Sequence, residues 1–140
     1  MTEKDTKTTL PTEETGNLNL ALVQTDICWE DVDCNLDKLE KLISGIAERT
    51  DLIILPEMFS TGFTMNVNRF ESPAGRTSFE WMKALAVKMN ISLAGSILYE
   101  EAGKYFNRFF LVYPDGNHEK YDKRHVFRMA GEHKVISPGK

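Results

Sequence analysis

From Leu18 to Val23 the leucines at 18, 20 and 22 alternate with Asn19, Ala21 and Val23, which is the period of two expected of a strand that is at least half buried. The alternation stops at Gln24, and residues 24–33 read as a loop around Trp29. Leu36, Leu39, Leu42, Ile43 and Ile46 then recur at helical spacing, with Asp37, Lys38, Glu40 and Lys41 facing out. This predicts an amphipathic helix over 35–49, capped by Asp33 or Asn35. Leu52 to Leu55 is an unbroken apolar run that ends at Pro56, as suits a parallel strand covered on both faces. Strand, helix and strand at these intervals predict a βαβ unit.

Residues 56–73 hold Ser60, Thr61, Gly62, Thr64, Asn66 and Asn68, a length and polarity that predict a site-forming loop. Thr77-Ser78-Phe79-Glu80 reads as a capping box opening a helix to Met89, with Phe79, Met82, Leu85, Ala86 and Met89 buried. Strands are predicted over 91–98, with a bend at Gly95, over 105–113 and over 118–121. Pro114-Asp115-Gly116-Asn117 joins the last two as an antiparallel hairpin. Residues 121–133 follow no regular period. They are too charged for a core strand, yet Val126, Phe127 and Met129 interrupt the charges, so the segment is expected to pack with ionic groups turned inward. Residues 1–16, rich in threonine and charge with no apolar face, are expected to form a disordered tail.

At 140 residues and 41% hydrophobic, with 27% charged, the chain has the size and composition of one soluble globular domain, and its order of elements makes the expected class α/β. A net charge of −4 favours neither nucleic acid nor an anionic membrane as partner. No apolar run approaches a membrane span and no secretory signal order is seen, so a cytoplasmic location is expected. In that setting Cys28 and Cys34 are expected to be free thiols rather than a disulfide. Cys28, where the first strand gives way to a loop, is at most a weak candidate nucleophile.

Glu57 lies just past the end of the second strand, where ligands gather in open α/β sheets. Lys123, in the charged segment, carries the opposite sign. Hydrolysis of an amide through a thiol needs a base, a nucleophile and a positive group beside the oxygen that becomes negative, and these two residues suit the first and last roles. By itself, Glu57 reads better as a solvated carboxylate at a strand end, and Lys123 reads as well as a surface lysine beside Arg124.

Three motifs change that balance. Leu-Pro-Glu-Met-Phe-Ser-Thr-Gly-Phe (55–63), Tyr-Asp-Lys-Arg-His-Val-Phe (121–127) and Ala-Gly-Glu-His (130–133) jointly resemble the nitrilase, or carbon-nitrogen hydrolase, superfamily, and most of all its omega-amidase branch. The resemblance implies the N-terminal half of a four-layer αββα sandwich, incomplete over 17–140, and hydrolysis of the side-chain amide of 2-oxo acids such as 2-oxoglutaramate. It makes Glu57 the base, Lys123 the oxyanion partner and Glu132 the carboxylate that orients lysine or substrate. Asn107 becomes a structural asparagine, and His125 and Phe127 are expected to pack beneath the lysine. Apart from the resemblance, Arg108 or Arg128 is a candidate to receive a substrate carboxylate, and either reads equally as a surface or structural ion-pair residue.

In the family the nucleophilic cysteine follows a further strand downstream of the lysine, so the 140 residues are expected to stop short of it and to be inactive alone. The resemblance also implies no metal or organic cofactor, a small-molecule amide as partner and a homo-oligomer at full length. An inactive binding module of the same fold is the alternative. A metal site on His118, His125, His133 and Glu132 lacks compact ligand spacing. A basic patch on Lys120, Lys123, Arg124, Arg128 and Lys134 is interrupted by Glu119, Asp122 and Glu132.

Overall fold

A computed structural model describes residues 16–46 and 49–140; the tail expected over 1–16 lies, apart from Gly16, outside the described residues. Five strands form one mixed sheet in the order β1 (Leu20–Leu22), β2 (Leu52–Ile54), β3 (Ser92–Glu101), β4 (Lys104–Val112) and β5 (His118–Asp122). The first three run parallel, and β3-β4-β5 is an antiparallel meander. Helices α1 (Val32–Ser44) and α2 (Arg76–Met89) fill the two parallel crossovers.

The expected elements are present, with their boundaries corrected by local chemistry. The first helix starts at Val32 rather than at 35, because the Asp31 carboxylate accepts the Cys34 N–H at 3.0 Å and so caps it, a bond worth about 1 kcal/mol. It ends at Ser44. The predicted capping box at 77–80 is not used. Helix α2 begins two residues earlier, after Gly75 as N-cap in a left-handed conformation (φ 83°) with no side-chain cap. A Cβ on Gly75 would lie 2.3 Å from the Leu98 carbonyl oxygen, so the close approach of this turn to β3 sets the helix start. Strand β3 runs straight through Gly95, where a Cβ would meet Leu55 at 2.9 Å. Gly95 therefore admits Leu55 and Phe59 instead of bending the strand.

Both helices lie on one face of the sheet. Leu36, Leu39 and Ile43 of α1 and Phe79, Met82, Leu85 and Ala86 of α2 pack on Ile53, Leu93, Ile97, Phe110 and Val112, each large side chain contributing about 1.5–3 kcal/mol by burial. Ala21 and Val23 of the first strand face this core, whereas Leu18, Leu20 and Leu22 are exposed. The leucine row thus points away from the helices, contrary to the burial its alternation suggested. Leu42 is likewise exposed. The expectation that β2 is covered on both faces is corrected too: Ile53 is buried while Leu52 and Ile54 are only half-buried.

On the face away from the helices, Leu22, Ile54, Ala94 and Leu111 stand in one cross-strand row, and Phe109 stands beside Tyr121 in another. Only its far end is covered. There Met58, Val67, Leu98 and Ile136 form a second cluster with Phe63, Tyr105 and Val126, built from the loop after β2 and the segment after β5.

Candidate active site

Glu57 is fixed by the end of the strand it follows, β2, which is paired on both sides. Leu55 still donates to Ala94 O at 2.7 Å, and two residues past Pro56 the Met58 N–H donates to Ser96 Oγ at 2.9 Å. Met58 turns with positive φ (47°), and the Thr61 and Gly62 N–H groups return to its carbonyl. The carboxylate between these anchors has little backbone freedom. Lys123 is the first residue after β5, its N–H donating to Asn107 O of β4 and its carbonyl accepting from Gly139, each at 3.0 Å. Glu132 opens a short 3-10 turn, Glu132–Lys134, and Gly131 before it supplies the left-handed φ of 78°.

These anchors bring the three residues together. The Lys123 ammonium lies 3.0 Å from Glu57 Oε1 and 3.1 Å from Glu132 Oε2. Asn107 Nδ2 bridges the same two carboxylates, donating to Glu57 Oε1 at 2.7 Å and more weakly to Glu132 Oε1 at 3.4 Å. Glu132 is wholly buried, and its second oxygen also accepts the Phe127 N–H. Lys123 is 30% exposed and Glu57 52%, so the triad runs from the interior to an open mouth. The ring of Phe63 lies 5.0 Å from the ammonium. Burial pulls the Lys123 ammonium down, but hydrogen bonds to Glu57 and Glu132, with their charges, outweigh it and hold the group above the ordinary lysine range. At neutral pH it is a cation.

Glu57, Phe63 and Lys123 line a cavity of about 370 Å³ together with His125, Val126, Phe127 and Arg128. His125 and Phe127 are exposed at its wall and do not pack beneath the lysine; Val126 between them turns to the second cluster instead. The two arginines also separate. Arg108 is 2% exposed, and its guanidinium forks onto Asp122 (2.6 and 2.9 Å) and onto Glu101 (both 3.1 Å) between the rings of Tyr99 and Phe106. It has no capacity left for a substrate carboxylate, so that expectation is corrected. Arg128 is exposed at the cavity.

Asn107, expected to be structural, bonds both carboxylates and holds them in place. Two positioning residues were missed by sequence reasoning. Asn35, expected as a helix cap, is buried and ties the loop after β1 to the loop after β2, with bonds to the Cys28 backbone (2.8 and 2.7 Å) and Ser60 O (2.9 Å). Glu30 joins the same clamp, accepting from Thr64 Oγ1 and pairing with Arg69 at 3.3 Å. Cys28 and Cys34 are joined as a disulfide, not free thiols. The path of the loop from β1 back to the first turn of α1 brings their Cα atoms to 6.2 Å, within bridging range. Among the described residues no group of His, Cys, Asp or Glu is arranged to hold a metal. His118, one of the suggested ligands, lies edge-on to Phe79 on the helix side.

The sequence profile of the family described as carbon-nitrogen hydrolase matches residues 19–140. The chain belongs to the carbon-nitrogen hydrolase family. Within this family it is 41% identical over 125 residues to omega-amidase YafV of Yersinia enterocolitica, covering 89% of this chain and 48% of that protein. It is 28% identical over 123 residues to the 2-oxoglutaramate amidase of Bacillus subtilis, covering 86% and 48%. The crystal structure of XC1258 from Xanthomonas campestris, a CN-hydrolase superfamily protein, superposes with a TM-score of 0.81 at 34% identity, over 88% of this chain and 46% of the other. The chain therefore spans about half the length of the curated carbon-nitrogen hydrolases it matches, and its helix-on-sheet layers correspond to the N-terminal half of that fold.

Proposed function

We propose that this chain supplies the base, the oxyanion partner and the orienting carboxylate of a thiol-dependent amidase acting on the side-chain amide of 2-oxo acids. One observation carries the proposal: residues 66 positions apart place Lys123 Nζ 3.0 Å from the Glu57 carboxylate, at an open cavity, with buried Glu132 behind them. The omega-amidase and 2-oxoglutaramate amidase relatives support the substrate class.

In this reading Glu57 takes the proton of a cysteine thiol, and the thiolate adds to the amide carbon. The carbonyl oxygen becomes negative beside the Lys123 ammonium, whose charge is already maintained by the two carboxylates. Glu57 returns the proton to departing ammonia, then takes a proton from the water that cleaves the thioester. Glu132 and Asn107 touch neither thiol nor water; they fix the lysine and the base. Both cysteines of this chain are tied to each other, so this reading takes its thiol from neither of them. The protein is read as pairing subunits, as the family resemblance implies.

A second reading, an inactive binding module, is favoured by that same pairing of both thiols. Ammonia release from 2-oxoglutaramate by the protein expressed from its complete reading frame separates the two. Turnover that is lost in Lys123→Met supports the amidase; a folded protein that binds 2-oxoglutaramate without turnover overturns it.

A further inference from the structure

Away from the triad, the cavity at the start of α2 mixes Asp33 and Glu71 with Arg76 and so commits to no charge. The apolar sheet face belongs to the layering of the family fold. The corner between β1 and α1 carries more. There the Cys28–Cys34 disulfide closes the loop that leads into α1. Cys34 is exposed, on the wall of an open cavity of about 760 Å³ between residues 24–26 and α1. An exposed bridge beside open space is one that a thiol can reach.

What the bridge closes bears directly on the loop after β2. Glu30, between the two cysteines, holds a left-handed φ of 55°, which persists only where the surroundings over-determine it. Its N–H donates to Thr61 O at 2.9 Å, and its carboxylate accepts from Thr64 Oγ1 and pairs with Arg69 at 3.3 Å. The ring of Trp29 lies on Gly62, where a Cβ would meet it at 3.0 Å. Gly62 donates to the carbonyl of Met58, the residue after Glu57, at 2.8 Å. Phe63 follows, with its ring 5.0 Å from the Lys123 ammonium. A chain of contacts thus runs from the bridge to both the base and the cation. Asn35 ties the same corner through the Cys28 backbone and Ser60 O, so opening the bridge loosens the corner without releasing it.

We propose that the Cys28–Cys34 bridge is a reversible redox site, opened by dithiols, whose closure holds the loop that follows Glu57 in its working position. A thiolate of the dithiol attacks Cys34 Sγ, the sulfur–sulfur bond breaks, and Cys28 leaves as a thiolate that takes a proton. The second thiol of the reductant, deprotonated, attacks the mixed disulfide and releases Cys34, which is protonated in turn. Two electrons and two protons pass to the protein, and the dithiol becomes a disulfide. The open form keeps the fold and the triad but holds the loop after β2 less tightly. The effect on turnover rests on the amidase reading above; the bridge and its hold on the loop do not.

The test compares the protein expressed from its complete reading frame with its Cys28→Ser/Cys34→Ser variant, each with and without dithiothreitol. In wild type the reductant should lower the melting temperature by roughly 5 °C and speed hydrogen exchange at the Glu30 and Gly62 amides roughly 10-fold. It should also lower kcat/KM for 2-oxoglutaramate roughly 10-fold, and reoxidation should restore all three. The double variant should match reduced wild type and ignore the reductant. Both thiols found free in air-oxidised wild type by alkylation and peptide mapping, or equal responses of wild type and double variant to the reductant, overturn the redox site. A bridge that opens with melting and exchange unchanged overturns its hold on the loop, and a shift in both with kcat/KM unchanged overturns its role in turnover. Wild type that hydrolyses no 2-oxoglutaramate in either state, while melting and exchange still respond, sinks the amidase reading and leaves the bridge standing.

Discussion

Strands β4 and β5, with the residue that follows β5, carry two ionic clusters of the same charge make-up, one on each face of the sheet. Asn107 and Arg108 are neighbours, as are Asp122 and Lys123, and successive residues of a strand point to opposite faces. On one side Arg108 faces Asp122 and Glu101; on the other Lys123 faces Glu57 and Glu132. Each is a cation held by two carboxylates. The arginine cluster spends its donors in two forked pairs and stacks on Tyr99 and Phe106, so it locks the β4-β5 register. The lysine cluster gives two of three ammonium N–H bonds to carboxylates and opens to a cavity. The cluster with donors to spare, beside space for a ligand, is the one suited to chemistry.

Exchanging the cations should separate the two roles. Lys123→Arg should lower kcat/KM for 2-oxoglutaramate roughly 100- to 1000-fold, since the fork cannot occupy the ammonium position beside the oxyanion, with stability within about 1 kcal/mol of wild type. Arg108→Lys should do the reverse. Loss of the fork leaves carboxylate oxygens unpaired and costs about 2 kcal/mol by urea melting, while kcat/KM of the folded fraction stays within a factor of about three. A catalytic collapse in Arg108→Lys equal to that in Lys123→Arg would show that the faces are not independent.

The next largest effect falls on Asn107. Asn107→Ala removes one amide donor shared by both carboxylates and should cost roughly 10- to 100-fold in kcat. Asn107→Asp should cost more, because it sets a third carboxylate against Glu57 and Glu132. Equal losses in the two variants would reduce Asn107 to a space-filling part.

The clusters should also weaken at opposite ends of the pH scale. Lys123 is raised in the folded state, so its contribution to stability is complete below its unfolded pKa and is lost as pH rises through the folded one. Glu101 is lowered, chiefly by its hydrogen bond to Arg108 and then by that charge. Its contribution is present above the unfolded value and is lost as acid passes the folded one, although at 52% exposure solvent screens much of it. Urea midpoints across pH should show Lys123→Met flattening the alkaline limb and Glu101→Gln flattening the acid limb more weakly. If both variants flatten the same limb, the assignment of charges is wrong.

Much of this was legible in the chain because it is written locally. The period of Leu36, Leu39 and Ile43 marks a helix face, Asp115-Gly116 marks a hairpin, and the motifs around Glu57 and Lys123 mark two residues that the fold brings together. What failed depends on distant partners. The alternation at 18–23 shows two faces but not which one meets the helices, because leucine on one side and Ala21 and Val23 on the other are all apolar. An amide in mid-strand has no local signature, and the carboxylates of Asn107 lie 50 and 25 residues away in sequence. The fork of Arg108 onto Asp122 needs the β4-β5 register, and the capping box at 77–80 was overridden by the tight passage of Gly75 over β3.

The smallest expected effect tests whether the aromatic neighbours of the two cations are equivalent. Phe63 stands 5.0 Å from the Lys123 ammonium and Phe106 stands 5.1 Å from the Arg108 guanidinium. Each ring contributes about 0.5–1 kcal/mol to its cation. Phe63→Leu removes that attraction at the group that the amidase reading places beside the oxyanion, and it loosens one wall of the cavity, so kcat/KM should fall about two- to five-fold. Phe106→Leu takes the same attraction from a cation already held by four hydrogen bonds, and its loss should appear as a small drop in urea midpoint with turnover unchanged. A turnover defect in Phe106→Leu as large as that in Phe63→Leu would mean that the two faces of β4 communicate, and that the arginine cluster takes part in chemistry as well as in register.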